Sequence, residues 1–169
     1  MQIHILGTSS SRPAHGRSVS GTAINTNKGI IIVDCGEGFQ ERIYNQNKKL
    51  KERKLEFRIK TGKINTILLT HGHLDHTRGL LPLLKTLSLD GREKEMTIIA
   101  PTSHEIVNRI LKSNDPFIEI NDLDISNVDL YNQFQQWWSL GGTTESLNYC
   151  TNWILIGIDE NDEIGLFNG

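Results

Sequence analysis

Cysteine is scarce in this chain. Cys35 and Cys150 are the only two in 169 residues, and they form no CxxC pair. That excludes a disulfide framework and a four-cysteine zinc site, and it points to a reducing compartment, the cytoplasm. Long apolar runs are also missing: none approaches the roughly 20 residues of a membrane-spanning helix. The opening stretch MQIHILGTSSS has neither the basic start nor the apolar core of a secretory leader. A soluble protein without a membrane anchor is the expectation. Positive charge runs out early, because no Lys or Arg follows Lys112 whereas ten Asp and Glu do. With a net charge of -2 and a pI near 6.3, bulk charge does not mark a dedicated nucleic-acid binder. The one basic concentration, KKLKERKLEFRIKTGK at 48–63, has eight Lys or Arg against two Glu; it offers a polyanion somewhere to rest, but reads first as a solvated helix end and loop.

What is present suits a folded domain. At 37% hydrophobic and 22% charged residues, the chain is long enough for one core, and residues 1–169 are read as a single domain. Short β-branched runs at 3–6, 22–26, 29–34, 64–70 and 96–100 predict strands. Helical lengths fall between them at 37–54, 77–89 and 103–112. Asn25, Asn27 and Gly29 predict a tight hairpin, so the sheet opens antiparallel, and the later strands alternate with helices as crossover units do. Beyond Ser113 the pattern predicts at most short strands, then two strands around a polar turn at Asp159–Asp162. Within that stretch, QFQQWW (133–138) puts Trp137 beside Trp138, which marks either an exposed contact surface or a tryptophan buried in the core.

The chemistry concentrates in LLTHGHLDHTRGL, residues 68–80. His71, His73, Asp75 and His76 put four metal-ligating side chains into six positions directly after a predicted strand. Two histidines spaced by one residue in an extended turn point to the same side and can grip one cation, while Asp75 and His76 begin the next helix and face a neighbouring one. Imidazole and carboxylate are zinc ligands, and a catalytic zinc takes about three of them and keeps a position open for water. Four ligands do not fill two such sites, so more must come from elsewhere.

THGHLDHTRGL resembles the signature of the metallo-β-lactamase superfamily. Together with ILGTSSSRPAHGRSVSGTAI, IIVDCGEGFQERI and LSLDGREKEMTIIAP, it resembles the tRNase Z family in particular. The resemblance is good from Met1 to about Lys112 and thin afterwards. It implies an α/β fold of the metallo-β-lactamase type, an αββα sandwich, of which this chain is the N-terminal half plus the start of the second. It also implies two zinc ions, with His71 and His73 on one and Asp75 and His76 on the other, Asp75 doubling as general base. Asp34 in DCGEG would support the metals from behind. The loop PAHGRS resembles a substrate-contacting PxKxRN loop in Pro13 and Arg17, with His15 in place of the lysine and Ser18 in place of the asparagine.

The implied activity is a zinc-dependent endoribonuclease that removes the 3′ trailer of precursor tRNA by metal-activated water, acting as a homodimer. Two alternatives stay open: a zinc phosphodiesterase for small or cyclic nucleotides, and a catalytically incomplete half that serves as a binding or split-enzyme subunit. The family needs a further histidine, a bridging aspartate and a final histidine after HxHxDH. His104 reads as a surface or helix-start residue, Glu145 stands where the next ligand would fall, and the chain stops one residue before the expected aspartate. A complementing C-terminal half is therefore an expected partner.

Overall fold

Seven strands lie in chain order in one sheet in the computed structural model, which describes residues 1–123, 126, 129–139, 147–158 and 164–168. They are β1 (Gln2–Gly7), β2 (Gly21–Asn25), β3 (Ile30–Cys35), β4 (Ile64–Leu68), β5 (Met96–Ser103), β6 (Thr151–Ile158) and β7 (Ile164–Asn168). The first three run antiparallel, β3 to β6 run parallel, and β7 turns back on β6. The predicted hairpin is there: Thr26 N–H donates to the Gly29 carbonyl at 2.9 Å, and Asn25 pairs with Ile30. Between the parallel strands come α1 (Phe39–Glu52), α2 (Leu74–Thr77), α3 (Leu80–Leu89), α4 (His104–Ser113) and α5 (Leu130–Ser139). A short 3-10 turn at Thr61–Lys63 leads into β4.

Burial alternates along the strands, as the period of two requires. In β5 every second residue from Met96 to Thr102 is buried. Ile30, Ile32, Ile67, Ile98 and Leu155 face a single core, where they meet Phe39 and Ile43 of α1, the leucines of α3, Ile106 and Ile110 of α4, and Phe134 of α5. The other face is different. Ile5, Thr22, Val33, Leu68, Ile99 and Ile154 form a row across six strands, each paired with the next, and each half-exposed or exposed. α1, α3, α4 and α5 all pack on the first face.

Two expectations need correction. The helix predicted over 77–89 starts later, as α3 at Leu80, with the separate short α2 ahead of it; between them Gly79 packs its backbone against the end of β3, where its N–H donates to the Cys35 carbonyl at 2.7 Å and a Cβ would lie 2.3 Å from the Gly36 carbonyl oxygen. The stretch after Ser113 is not limited to short strands, since α5 forms where Leu130, Tyr131 and Phe134 fall at helical spacing on the core. Of the two readings of QFQQWW, burial of a tryptophan holds for Trp137, which is half-buried and packs on the core, 6.0 Å from the Trp153 ring. The Trp138 side chain, Glu145 and the turn at 159–162 lie outside the described residues. His104 does start a helix, but half-buried rather than on the open surface.

Candidate metal centre

Parallel strands β3 and β4 end side by side, so Asp34 and the Thr70–His76 segment meet at their carboxyl ends, the edge where α/β folds place their chemistry. Asp34 is 4% exposed and sits at φ 58, a left-handed conformation that aspartate tolerates better than most residues. That twist turns its carboxylate under the next loop. Oδ1 accepts from the Thr70 N–H at 2.9 Å and from the Thr70 hydroxyl at 2.8 Å. Oδ2 accepts from Ser20 Oγ at 3.0 Å and lies 2.6 Å from His76 Nδ1.

This network assigns protons. His76 Nδ1 carries its proton toward Asp34, which leaves Nε2 as a bare lone pair. The Thr70 hydroxyl spends its proton on Asp34 and so accepts from His71 Nδ1 at 3.0 Å, which leaves the His71 Nε2 lone pair free as well. One buried carboxylate thus sets the tautomers of two histidines. Burial above all lowers the His71 pKa, and a proton on neighbouring His76 or His73 would lower it further, which favours the neutral ring that a ligand requires.

The donors meet in two pairs. His71 Nε2 and His73 Nδ1 are 2.8 Å apart, and His76 Nε2 and Asp75 Oδ2 are 3.5 Å apart. The His71 and His76 rings lie 4.1 Å apart, which brings the pairs together. Two ligands of a tetrahedral zinc, each at about 2.0–2.1 Å from it, are ~3.3 Å from one another, so the second pair stands at ligand spacing and the first slightly closer. Among the described residues, no group of three or more His, Cys, Asp or Glu side chains is set to hold an ion. By donor chemistry, imidazole and carboxylate, the set fits a metal ion such as zinc.

Asp75 is steadied from outside the cluster. The Ser11 N–H donates to Oδ2 at 2.7 Å, fastening the 8–19 loop to the centre. Burial works to raise the Asp75 carboxyl, but the hydrogen bonds from Ser11 and its own backbone, with the charges of His76 and His73, together hold it below the usual carboxylate range. Gly36 is required by close approach, since a Cβ there would lie 2.1 Å from the Asp75 carbonyl oxygen. Gln133 of α5 closes the other side, its amide donating to the Gly72 carbonyl while its oxygen accepts from Thr77 Oγ1 at 2.8 Å.

Pro13, His15 and Arg17 are all exposed, in a tight turn where Ala14 and Arg17 pair backbone to backbone at 3.0 and 2.9 Å. The structure brings His71, His73, Asp75, His76 and Asp34 together and sets the Pro13–Arg17 turn beyond them, joined through Ser11. Sequence reasoning missed Thr70, Ser20, Ser11 and Gln133. Of these only Thr70, adjacent to His71, had a local signal. The largest described cavity, about 770 Å³, lies at the opposite end of the strands, around Lys28, Lys63 and Arg92, away from these histidines.

Residues 30–142 match the family described as a β-lactamase superfamily domain. A curated relative, Ribonuclease Z of Prochlorococcus marinus, is 33% identical over 141 residues, which is 78% of this chain and 42% of the relative. Ribonuclease Z of Clostridium botulinum is 36% identical over 133 residues, 77% of this chain and 38% of the relative. Among solved structures, the metallo-β-lactamase fold protein YhfI from Bacillus subtilis matches at a TM-score of 0.54 and 18% identity, over 94% of this chain and 47% of that one, a likeness of fold. The chain spans about two fifths of the length of the curated relatives named here. By its fold and by the family match that covers β3 through α5, this chain belongs to the metallo-β-lactamase superfamily.

Proposed function

We propose that this chain is the metal-ligating part of a tRNase Z-type zinc hydrolase that trims the 3′ trailer of precursor tRNA. The observation that carries the reading is the pairing at the ends of β3 and β4: two lone-pair couples, His71 with His73 and Asp75 with His76, oriented by Asp34. The Ribonuclease Z relatives at 33% and 36% identity supply the substrate class.

In this reading His71 and His73 hold one zinc and Asp75 and His76 the second, a pair of ions in one centre. When bound, zinc supplies Lewis acidity toward a phosphoryl oxygen and lowers the pKa of water to near neutral. The chain's own contribution is orientation and proton handling. Asp34 and Thr70 keep the two Nε2 atoms unprotonated, and Ser11 fixes the Asp75 carboxylate, the general base. Arg17 in the loop tied on by Ser11 contacts substrate phosphate, with Pro13 shaping that turn and His15 beside it. Remaining ligands come from a complementing segment, in the same polypeptide or in a partner, and Glu145 is a candidate ligand from this chain. Dimerisation of the whole enzyme, as a homodimer, belongs to the same reading.

His15 and Ser18, standing where the resemblance has Lys and Asn, favour a second substrate class, small or cyclic phosphodiesters. The test is zinc-dependent cleavage by the chain alone and by the chain mixed with the C-terminal portion of a Ribonuclease Z relative. Release of the trailer by the mixture, lost on His73→Ala, supports the reading. Turnover of a cyclic phosphodiester with the tRNA left uncut replaces the substrate class, and zinc-independent binding without any hydrolysis makes the chain a binding subunit.

A further inference from the structure

A second cavity opens at the same end of the sheet as the histidines, because β1 runs in the same direction as β3, with β2 between them, and ends at the same edge. It holds about 290 Å³ between the end of β1, the turn at Gly16–Ser18 and the outward side of α1. Arg17 and Lys49 stand at its rim with Asn45 and Gln46, and Arg42 lies in its wall. No carboxylate is among its described lining residues.

Arg42 is the unusual member. It is 8% exposed, and its guanidinium donates to the carbonyl oxygens of Val19, of Gly36 at 2.9 Å and of Glu37 at 3.0 Å, with Nε buried and unpartnered. The Phe39 ring lies beneath it, 5.4 Å from the guanidinium carbon. These partners carry only partial negative charge, so a full positive charge is buried without a counter-ion, and burial lowers its pKa. Arg17 and Lys49 add two exposed cations that form no ion pair among the described residues. The larger cavity at the opposite end is built otherwise: there Lys28, Lys63, Arg92 and Lys94 are interspersed with the carboxylates Glu93 and Glu95, which offset half of that charge.

From this geometry we infer that the cavity between α1 and the Gly16–Ser18 turn is a phosphate subsite for the backbone of an RNA substrate. Arg17 and Lys49 bond the non-bridging oxygens, Asn45 and Gln46 offer amide donors, and Arg42 supplies uncompensated charge from the wall. Such contacts position a strand without reading its sequence. Beyond Lys49 the exposed cations Lys51, Arg53 and Lys54 carry positive charge on past the end of α1. The inference rests on the RNA reading above and gives it a location that the metal centre does not.

The experiment is fluorescence-anisotropy titration of a labelled precursor tRNA across a salt series, with zinc stoichiometry measured by native mass spectrometry on the same samples. Lys49→Ala and Arg17→Ala should each weaken binding about three- to tenfold and lower the salt slope by about one, with zinc content unchanged. Lys94→Ala, at the opposite end, is the control and should bind as the unaltered chain does. Unaltered binding by Lys49→Ala, or an equal loss in Lys94→Ala, overturns the subsite and leaves the metal reading standing. An unaltered chain that holds zinc but binds no tRNA overturns both the subsite and the RNA reading. Tight tRNA binding that depends on Lys49 in a chain without zinc supports the subsite while overturning the metal centre.

Discussion

The two faces of the sheet are built from the same residue types and treated oppositely. On one face Ile30, Ile32, Ile67 and Ile98 are at most 1% exposed beneath the helices. On the other, Ile3 is 58% and Ile5 66% exposed, and the row from Thr22 to Ile154 is only half-covered. Monomeric proteins rarely leave a contiguous apolar face this broad in water. An αββα sandwich has a second sheet on that side, and a chain that spans about two fifths of its relatives' length need not contain it. The candidate donor pairs at the ends of β3 and β4 are, in the proposed reading, incomplete in the same sense: two donors where a catalytic zinc takes about three.

The comparison breaks most sharply in the core. Leu84→Ala removes a fully buried side chain and should cost about 2–5 kcal/mol in urea unfolding, whereas Ile5→Thr on the open face should change stability by less than about 0.5 kcal/mol. Equal losses would mean that the open face is covered in the isolated chain. At the rim, Asp34→Ala removes the acceptor that orients His76 and, through Thr70, His71, and should lower zinc affinity about 10- to 100-fold, read by competition with a chelator. Unchanged affinity would detach Asp34 from the metal centre.

Smaller effects sharpen the contrast. Ile31→Lys places a charge in the middle of the open face and should reduce binding of a hydrophobic-probe dye and self-association at high concentration, measured by fluorescence and sedimentation. The smallest effect is chemical. A thiol reagent at pH 8 should label Cys150, which is exposed, and spare Cys35, whose thiol is pushed up by burial first and further by Asp34, against the pull of Arg42. The sign follows from that direction: raising the pH to 9 still leaves Cys35 unreactive, and denaturant exposes it. Two labels in the folded chain would contradict the covered face.

Much of this was legible in the residues. The histidine cluster, its position after β4, the hairpin at Asn25–Gly29 and the parallel crossovers all follow from local spacing and turn chemistry. What escaped depends on contacts far apart in sequence. Ser11 meets Asp75 across 64 positions and Gln133 meets Gly72 across 61, and nothing within a local window signals either. The start of α3 at Leu80, apart from α2, goes with Gly79 pressed against the end of β3, a tertiary contact that the leucine spacing does not signal. α5 was hidden because its polar residues, Asn132, Gln133 and Gln135, dilute a helical spacing that shows only once Leu130 and Phe134 are seen on the core. Arg42 looked like one more helix cation, and only the surrounding carbonyls make it a buried one.

The most direct test of the account is native mass spectrometry of the 169-residue chain in graded zinc, beside His73→Ala. Paired donors without a full ligand set predict up to two zinc ions held weakly by the unaltered chain, with at least one lost in His73→Ala. Zinc content identical in the two proteins would contradict the assignment of the His71–His76 segment as the metal centre.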